Sequence, residues 1–484
     1  MIKSANENMD DWIPLSTARN MSQTEYDVII VGSGAGGGAA LWRLCQQWKN
    51  SGRRIGLIES GPLLLPTHGR NMATMNEERF TKYFENPLHT EYIGKSWPEY
   101  PGAKMIKALG GRTLQWYMVS PRLNPEDFHT WPITYDELVP YYLTAEQMMN
   151  VTSKYAAGSS IQQILLERLR SNGFPGATDT PLAADLEPTR FGRVHSNVFF
   201  SSIDFLAYAL NTRPFDLAVR TQAVRVLIDK GKTAGVEVMT PDFKTHSIRA
   251  KTVILSCGTW ETPRLLLHSG IPGRAIGHYL TNHMKVFADV KGARSQFGEA
   301  AGVASLWVPV PGNKWGILYG FGTSPFDYFW YAYEQKPLLS ELKFRMVSAG
   351  PVEQRYENHV FLEPGTEDEY GIPRLQVSFS HSNQDRARIP ELFRTMRAAV
   401  HGMGLDFDKE PWLIEPGEDN HECGTCRIGL DPDTSATNPY GQIHGIPGLY
   451  VADSSVIRLT GPANPMLTTV ALALRTADYI SQTV

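Results

Sequence analysis

The chain has 484 residues, 42% of them hydrophobic, which is too many for one small core and enough for two or three domain-sized units. Its 46 basic and 50 acidic residues leave a formal net charge of −4, so there is no electrostatic footprint for nucleic acid or an anionic membrane surface. Four cysteines in so long a chain exclude a disulfide framework and fit a reducing compartment, with the cytoplasm as the default.

Residues 1–24 are polar, carry Glu7, Asp10 and Asp11, and have neither an apolar signal core nor a twin arginine, so no secretion is expected. Nowhere do about 18 apolar residues run together, so no membrane insertion is expected either. Tyr26 to Val31 is a short, apolar, β-branched run of the kind that forms a strand buried on both faces. Gly32, Gly34 and Gly37 follow in Gly-x-Gly-x-x-Gly spacing and open a helix whose apolar stripe is Ala39, Ala40, Leu41 and Leu44. A second strand, Ile55 to Ile58, ends at Glu59 and completes a βαβ unit.

In such a unit the first glycine permits the tight turn, the second lets the backbone approach a pyrophosphate, and the third lets helix and strand pack closely. Glu59 lies roughly 20 residues past the last glycine, where a carboxylate bonds a ribose 2′-hydroxyl and repels a 2′-phosphate. Glycine spacing by itself also fits a turn without a ligand, and the motif does not separate FAD from NAD.

Residues 62–100 are rich in Pro, His, Asn and Tyr without clear periodicity and read as a long excursion over a bound ligand. Thr134 as N-cap and Glu137 three residues on form a capping box that starts a helix running to about Val151. Residues 216–256 alternate strand-like runs with short polar turns. The last of these runs, Val253 to Leu255, leads through Gly258 to a helix opened by Glu261, Thr262 and Pro263. From about 290 to 415 the pattern is β-rich and predicts a separate antiparallel sheet. It holds an aromatic cluster, Phe326, Tyr328, Phe329, Trp330, Tyr331 and Tyr333, that is either core packing or a platform for a sugar ring.

The chain returns to the first domain with a strand from Gly448 to Asp453 and an apolar helix from Pro465 to Ile480. The expected fold is α/β. A Rossmann-like dinucleotide domain takes residues 25–150, 216–289 and 416–484, and an α+β substrate domain on a mainly antiparallel sheet takes 151–215 and 290–415. Cys423-x-x-Cys426 reads as a pair of buried structural thiols or as a redox pair. His421 and Asn464 sit on separate loops before the closing helix. Taken alone, His421 is a polar loop histidine, and Asn464, preceding Pro465, is an N-cap.

Six blocks in order resemble the glucose-methanol-choline (GMC) oxidoreductases, flavoproteins that oxidise alcohols. They are VIIVGSGAGGG with LIESGP, LGGRTLQW, WPITYDELVPYY, VILSCGTWETPRLLLHSG, HECGTCRIG, and the stretch from Gly448 to Ile480. Glu357 to Val360 and Gly371 to Arg374 are most similar to the sugar-oxidising branch, which includes pyranose oxidases, sugar and gluconate dehydrogenases and aminoglycoside-biosynthesis dehydrogenases.

The resemblance implies a p-hydroxybenzoate-hydroxylase-like architecture and FAD contacts from Gly32, Gly34, Gly37, Glu59, Gly110, Gly111, the region of Val224, and Asp453. Pyranose oxidases carry a flavin-linking histidine four positions after the Gly-Gly pair. Gln115 stands there in this chain, so non-covalent FAD is expected.

His421 and Asn464 match the family's catalytic positions, and His283 a position read as structural. A neutral His421 takes the hydroxyl proton while hydride passes to flavin N5, and Asn464 donates to the developing alkoxide. The implied enzyme oxidises a hydroxyl of a sugar, aminosugar or similar polyol to an aldehyde or ketone, with oxygen or a quinone or redox carrier as acceptor and without a metal. The rival functions are a hydroxynitrile lyase that retains FAD, a fatty-acid photodecarboxylase and a non-catalytic flavoprotein. Retention of both His421 and Asn464 argues against the last.

Overall fold

Five parallel strands end along one line, and that line is the floor of the site. In a computed structural model, which describes residues 15–72, 75, 77–187, 198–298, 303–312, 316–322, 340–459 and 461–484, Glu25–Val31 lies between Ile55–Ile58 and Thr245–Leu255. Val31 is in register with both Ile58 and Leu255. Asp216–Ala218 extends the sheet on one side, and Leu449–Val451 pairs with the end of Thr245–Leu255. The run Val28 to Val31 is buried throughout, as a strand covered on both faces must be. The start of Thr245–Leu255 turns antiparallel to Lys232–Met239, which in turn pairs with Gln222–Asp229.

Helices Ala35–Gln47, Tyr135–Met148, Ser202–Thr212 and Met466–Thr483 pack together in the core built around this sheet. The predicted capping box is present: Thr134 Oγ1 accepts from the Glu137 amide, and Glu137 accepts from the Thr134 amide.

The second sheet is antiparallel, as predicted, with His283–Ala293 paired along its whole length to Glu341–Pro351, followed outward by Ile317–Gly322 and Ala304–Pro309. It has its own core. The strand His283–Ala293 alternates: Met284, Val286, Ala288 and Val290 enter that core, and His283, Lys285 and Phe287 take the opposite face.

Two expectations about this half, both on boundaries, need correction. The domain boundary at 289 falls inside a strand that belongs to the second sheet from His283 onward. The segment 151–215 is divided, with Ser160–Ser171 packing into the second core and Ser202–Thr212 into the first. The block 290–415 also contains a 20-residue helix, Asn383–Gly402, opened by a Ser382 and Asp385 capping box and buried through Leu392, Met396, Ala399 and Val400. The aromatic cluster around Trp330 lies outside the described residues. Among those described, no helix is long and apolar enough to cross a membrane.

Candidate active site

A single cavity of about 650 Å³ runs from the glycine turn to the second sheet. At the first end it is lined by Gly32, Ser33, Gly34, Glu59, Gly111 and Ser256, and at the other by Lys285, Phe287, Tyr319, Phe321, His421 and Asn464.

The glycine turn is shaped by backbone contacts. A side chain at Gly36 would overlap the carbonyl of Ala452, and one at Gly37 the carbonyl of Gly32, so the helix Ala35–Gln47 sits directly on the strand ends. Gly34 differs: a Cβ there would meet no protein atom within 4 Å, because its open side faces the cavity. The helix has no side-chain cap, which leaves its first-turn amides for a ligand. Gly110 and Gly111 both take positive φ, 92° and 55°, conformations that glycine adopts without strain, and Gly111 reaches the cavity wall.

The buried carboxylates around this end are turned on the protein. Glu59 accepts from the Ser33 amide (3.0 Å) and hydroxyl (2.6 Å) and from the Gly61 amide (2.8 Å), so it clamps the glycine turn while still lining the cavity. Burial raises its pKa and these donors pull it back. Asp453 accepts from the Gly258 amide (2.9 Å), Thr262 Oγ1 (2.6 Å), the Ser455 amide (2.8 Å) and Ser455 Oγ (2.5 Å). Four donors fill that carboxylate. The side chain therefore anchors the helix Gly258–His268, and the residue also lines the cavity.

In the region of Val224 the cavity wall is formed by Thr221, Gln222 and Ala223, while Val224 itself is buried in its strand. Gly37 and Gly110 also lie behind the wall, where they shape the turns that form it.

At the far end, Asp419 brings two segments together. Its carboxylate accepts from Asn282 Nδ2 (3.0 Å), the His283 amide (3.0 Å) and the His421 amide (3.2 Å), which holds the loop before His421 against the start of His283–Ala293. His421 Nδ1 then lies 2.7 Å from His283 Nδ1, and His283 Nε2 lies 2.9 Å from the Gly461 carbonyl.

The proton positions follow from the network. A carbonyl only accepts, so His283 carries hydrogen on Nε2. Burial, with Lys285 next, pushes the pKa of His283 down to about 3, so the ring is neutral and its Nδ1 is bare. His421 must therefore donate from Nδ1, which leaves its Nε2 unprotonated and an acceptor. Burial first, then Lys285, His283 and Arg112, hold His421 well below the usual histidine range, so it too is neutral at physiological pH.

Around that Nε2 stand Asn464 Nδ2 at 3.2 Å and Lys285 Nζ at 3.5 Å. Asn464 is turned toward His421. The closing helix has Pro465 at its N-cap and no side-chain cap, so the capping role considered for Asn464 is not the one it adopts. Its Oδ1 is buried without a partner among the described residues at the cavity wall, an acceptor awaiting a donor. His283, Asp419 and His421 place ligand-capable atoms within 4.8 Å of one another, but the two Nδ1 atoms point at each other and the carboxylate is spent on amides. The cluster is arranged for proton placement.

Family models described as GMC oxidoreductase match residues 99–285 and 355–473, together more than half of the chain. The chain belongs to the GMC oxidoreductases. Among curated relatives of this GMC oxidoreductase, a 2-methyl-1,2-propanediol dehydrogenase from Mycolicibacterium austroafricanum is 24% identical over 95% of this chain and 96% of its own length. A C-glycoside 3-oxidase from Arthrobacter globiformis is 27% identical over 82% and 78%. Of solved structures, a formate oxidase from Aspergillus oryzae, studied for its FAD modification, superposes with a TM-score of 0.69 at 16% identity over 95% of this chain and 98% of its own.

FAD is the cofactor of this GMC oxidoreductase, and the site fits it: uncapped helix amides, a glycine open toward the cavity, and a continuous space from there to His421. The thiols of Cys423 and Cys426 are free and wholly buried, and burial raises both pKa values, which suits structural rather than redox roles.

Sequence reasoning missed Lys285 and gave His283 only a structural role. The signal was the alternation His-Met-Lys-Val-Phe-Ala, which puts a lysine on the same strand face as the histidine.

Proposed function

We propose that this GMC oxidoreductase oxidises a hydroxyl of a sugar, aminosugar or similar polyol to the carbonyl. The observation that carries the reading is the unprotonated Nε2 of His421, which accepts from Asn464 Nδ2, where the dinucleotide end of the cavity meets Phe287, Tyr319 and Phe321. FAD, when bound, supplies the acceptor for the hydride that leaves the carbinol carbon. His421 removes the hydroxyl proton at Nε2. Its Nδ1–H stays on His283, so the ring is fixed in both tautomer and plane. Asn464 Nδ2 is placed to donate to the oxygen as charge develops, and its unpartnered Oδ1 suits a second hydroxyl of the same substrate.

The aromatic wall supports a substrate with an apolar C–H face and polar edges, as pyranose rings have. The C-glycoside 3-oxidase and the diol dehydrogenase among the relatives point the same way. Gln115 lines the cavity where the pyranose oxidases carry a linking histidine, which supports non-covalent FAD. The four free thiols suit a reducing compartment, and we place the enzyme in the cytoplasm.

The test is anaerobic mixing of FAD-loaded protein with sugars, aminosugars and simple diols. Bleaching of the flavin by at least one of them is expected, with the rate constant about 10²–10⁴-fold lower in His421→Ala. If none bleaches the flavin, or the variant matches the parent, the reading fails. Acid precipitation should release the flavin into the supernatant.

A further inference from the structure

Lys285 is 4% exposed, lines the cavity, and makes no ion pair among the described residues. The carboxylates near it are committed elsewhere: Asp419 to two amides and Asn282, and Glu422 to Arg112 at 2.8 Å. The ammonium donates to the Asp419 carbonyl at 3.2 Å and stands 3.5 Å from His421 Nε2. An ammonium has three donors, and a buried one without a counter-ion is costly unless something in the working enzyme satisfies it.

Two donors stand beside one nitrogen. Asn464 Nδ2 and Lys285 Nζ lie 3.2 Å and 3.5 Å from His421 Nε2, so a substrate oxygen that hands its proton to that nitrogen can be met by both. Strand alternation gives the reason: His283 and Lys285 are two residues apart on one face of His283–Ala293, so one strand delivers both the tautomer partner of the base and a cation beside it.

We propose that Lys285 is a catalytic residue that holds the substrate oxygen with Asn464, so that the alkoxide forms against an ammonium. This rests on the alcohol-oxidising reading above. In the step, the O–H bond breaks and its proton goes to His421 Nε2. The carbinol C–H pair leaves as the hydride that the cofactor accepts, and the carbonyl remains. Lys285 keeps its three protons and exchanges no electron.

The charged and titratable groups facing His421 are His283 and Lys285 from the strand, Arg112 from the turn after Gly111, and Asp419 and Glu422 from its own loop. Of these, Lys285 is the one that both touches Nε2 and lacks an anion.

The experiment compares FAD-loaded Lys285→Met and Lys285→Arg with the parent. On an alcohol that bleaches the parent, Lys285→Met is expected to lower the rate constant of flavin reduction at saturating substrate by about 10²-fold, with KM changed far less. The acid limb of its kcat/KM profile should move to higher pH, because a charge pressing on the base is gone. Lys285→Arg should recover part of the rate. A reduction rate within twofold of the parent with an unmoved acid limb overturns the proposal. So does a loss confined to KM, which would assign Lys285 to ground-state recognition.

A second readout needs no turnover. Acetate, a small anion, should perturb the flavin absorption of the parent and of Lys285→Arg but not of Lys285→Met. Equal titrations in all three overturn the proposal even if no alcohol is oxidised, in which case the functional reading fails separately. If Lys285→Met does not fold, Lys285→Gln carries the same comparisons.

Discussion

The two ends of the cavity are made of different material. At the dinucleotide end the wall is backbone: a glycine turn, five strand ends and uncapped helix amides, with Glu59 and Asp453 spent on holding those backbones in place. At the catalytic end the wall is side chain, and His283, Lys285, His421 and Asn464 come from three separate stretches of sequence. A backbone-built site responds to sterics all at once, whereas a side-chain site loses its rate in portions.

Gly36→Ala should show the first behaviour most fully. Its new methyl meets the Ala452 carbonyl, a backbone atom with no rotamer to escape into, so the cost is at the upper end of the ~1–3 kcal/mol of overpacking. Loss of bound flavin together with a lowered Tm is expected. Gly34→Ala separates binding from folding. Its φ of −63° suits any residue and no protein atom lies near the new Cβ, so Tm should hold. FAD affinity should nevertheless fall about fivefold, the loss of roughly one hydrogen bond as the backbone is kept from the pyrophosphate. Equal damage from the two substitutions would erase the distinction between the Gly34 and Gly36 positions.

Asn464 tests the graded end. Asn464→Ala removes one of two donors beside Nε2 and should slow flavin reduction about 10²-fold with flavin content unchanged. Asn464→Asp keeps the shape but places a carboxylate beside His421. An adjacent anion favours the protonated imidazole and raises its pKa, and since only the neutral ring accepts the proton, the acid limb of kcat/KM should move to higher pH. An acid limb that stays in place would mean that the side chain at 464 does not face the base.

The same contrast explains what was legible in the sequence. The dinucleotide end is local: glycine spacing, β-branched strands and the Thr134 capping box are each written within about ten residues, and each formed. Pro263 shows the limit of that reading. The helix opens at Gly258, earlier than the proline implied, and the Thr259 carbonyl four residues before the proline accepts instead from Thr425 Oγ1 at 2.8 Å. The helix Asn383–Gly402 carried its own signals, Ser382 with Asp385 and apolar residues at helical spacing, but it lies in a β-rich block and contains Pro390.

At the catalytic end, His421 and Asn464 were found through the family resemblance. Their contacts were not, because His283 and Lys285 meet His421 across 138 and 136 residues. Tertiary packing alone decides that meeting.

His283 offers the smallest and most pointed effect. Its work is to accept from His421 Nδ1 and to donate to the Gly461 carbonyl. Glutamine has both a carbonyl and an amide and meets the same two partners, whereas leucine meets neither. His283→Leu would leave the buried Nδ1–H of His421 unpaired, at about 1–3 kcal/mol, and free the ring to move its hydrogen to Nε2, where it can no longer act as base. A fall of roughly 10-fold or more in flavin reduction is expected for leucine, and a change within about threefold for glutamine. Selective ¹⁵N labelling of histidine reads the cause directly: the Nδ1–H signature of His421 should persist with glutamine at 283 and be lost with leucine. If glutamine and leucine are equally harmful, the hydrogen-bond pattern of His283 is not what matters, and the histidine acts through its ring volume or its packing beside Asp419.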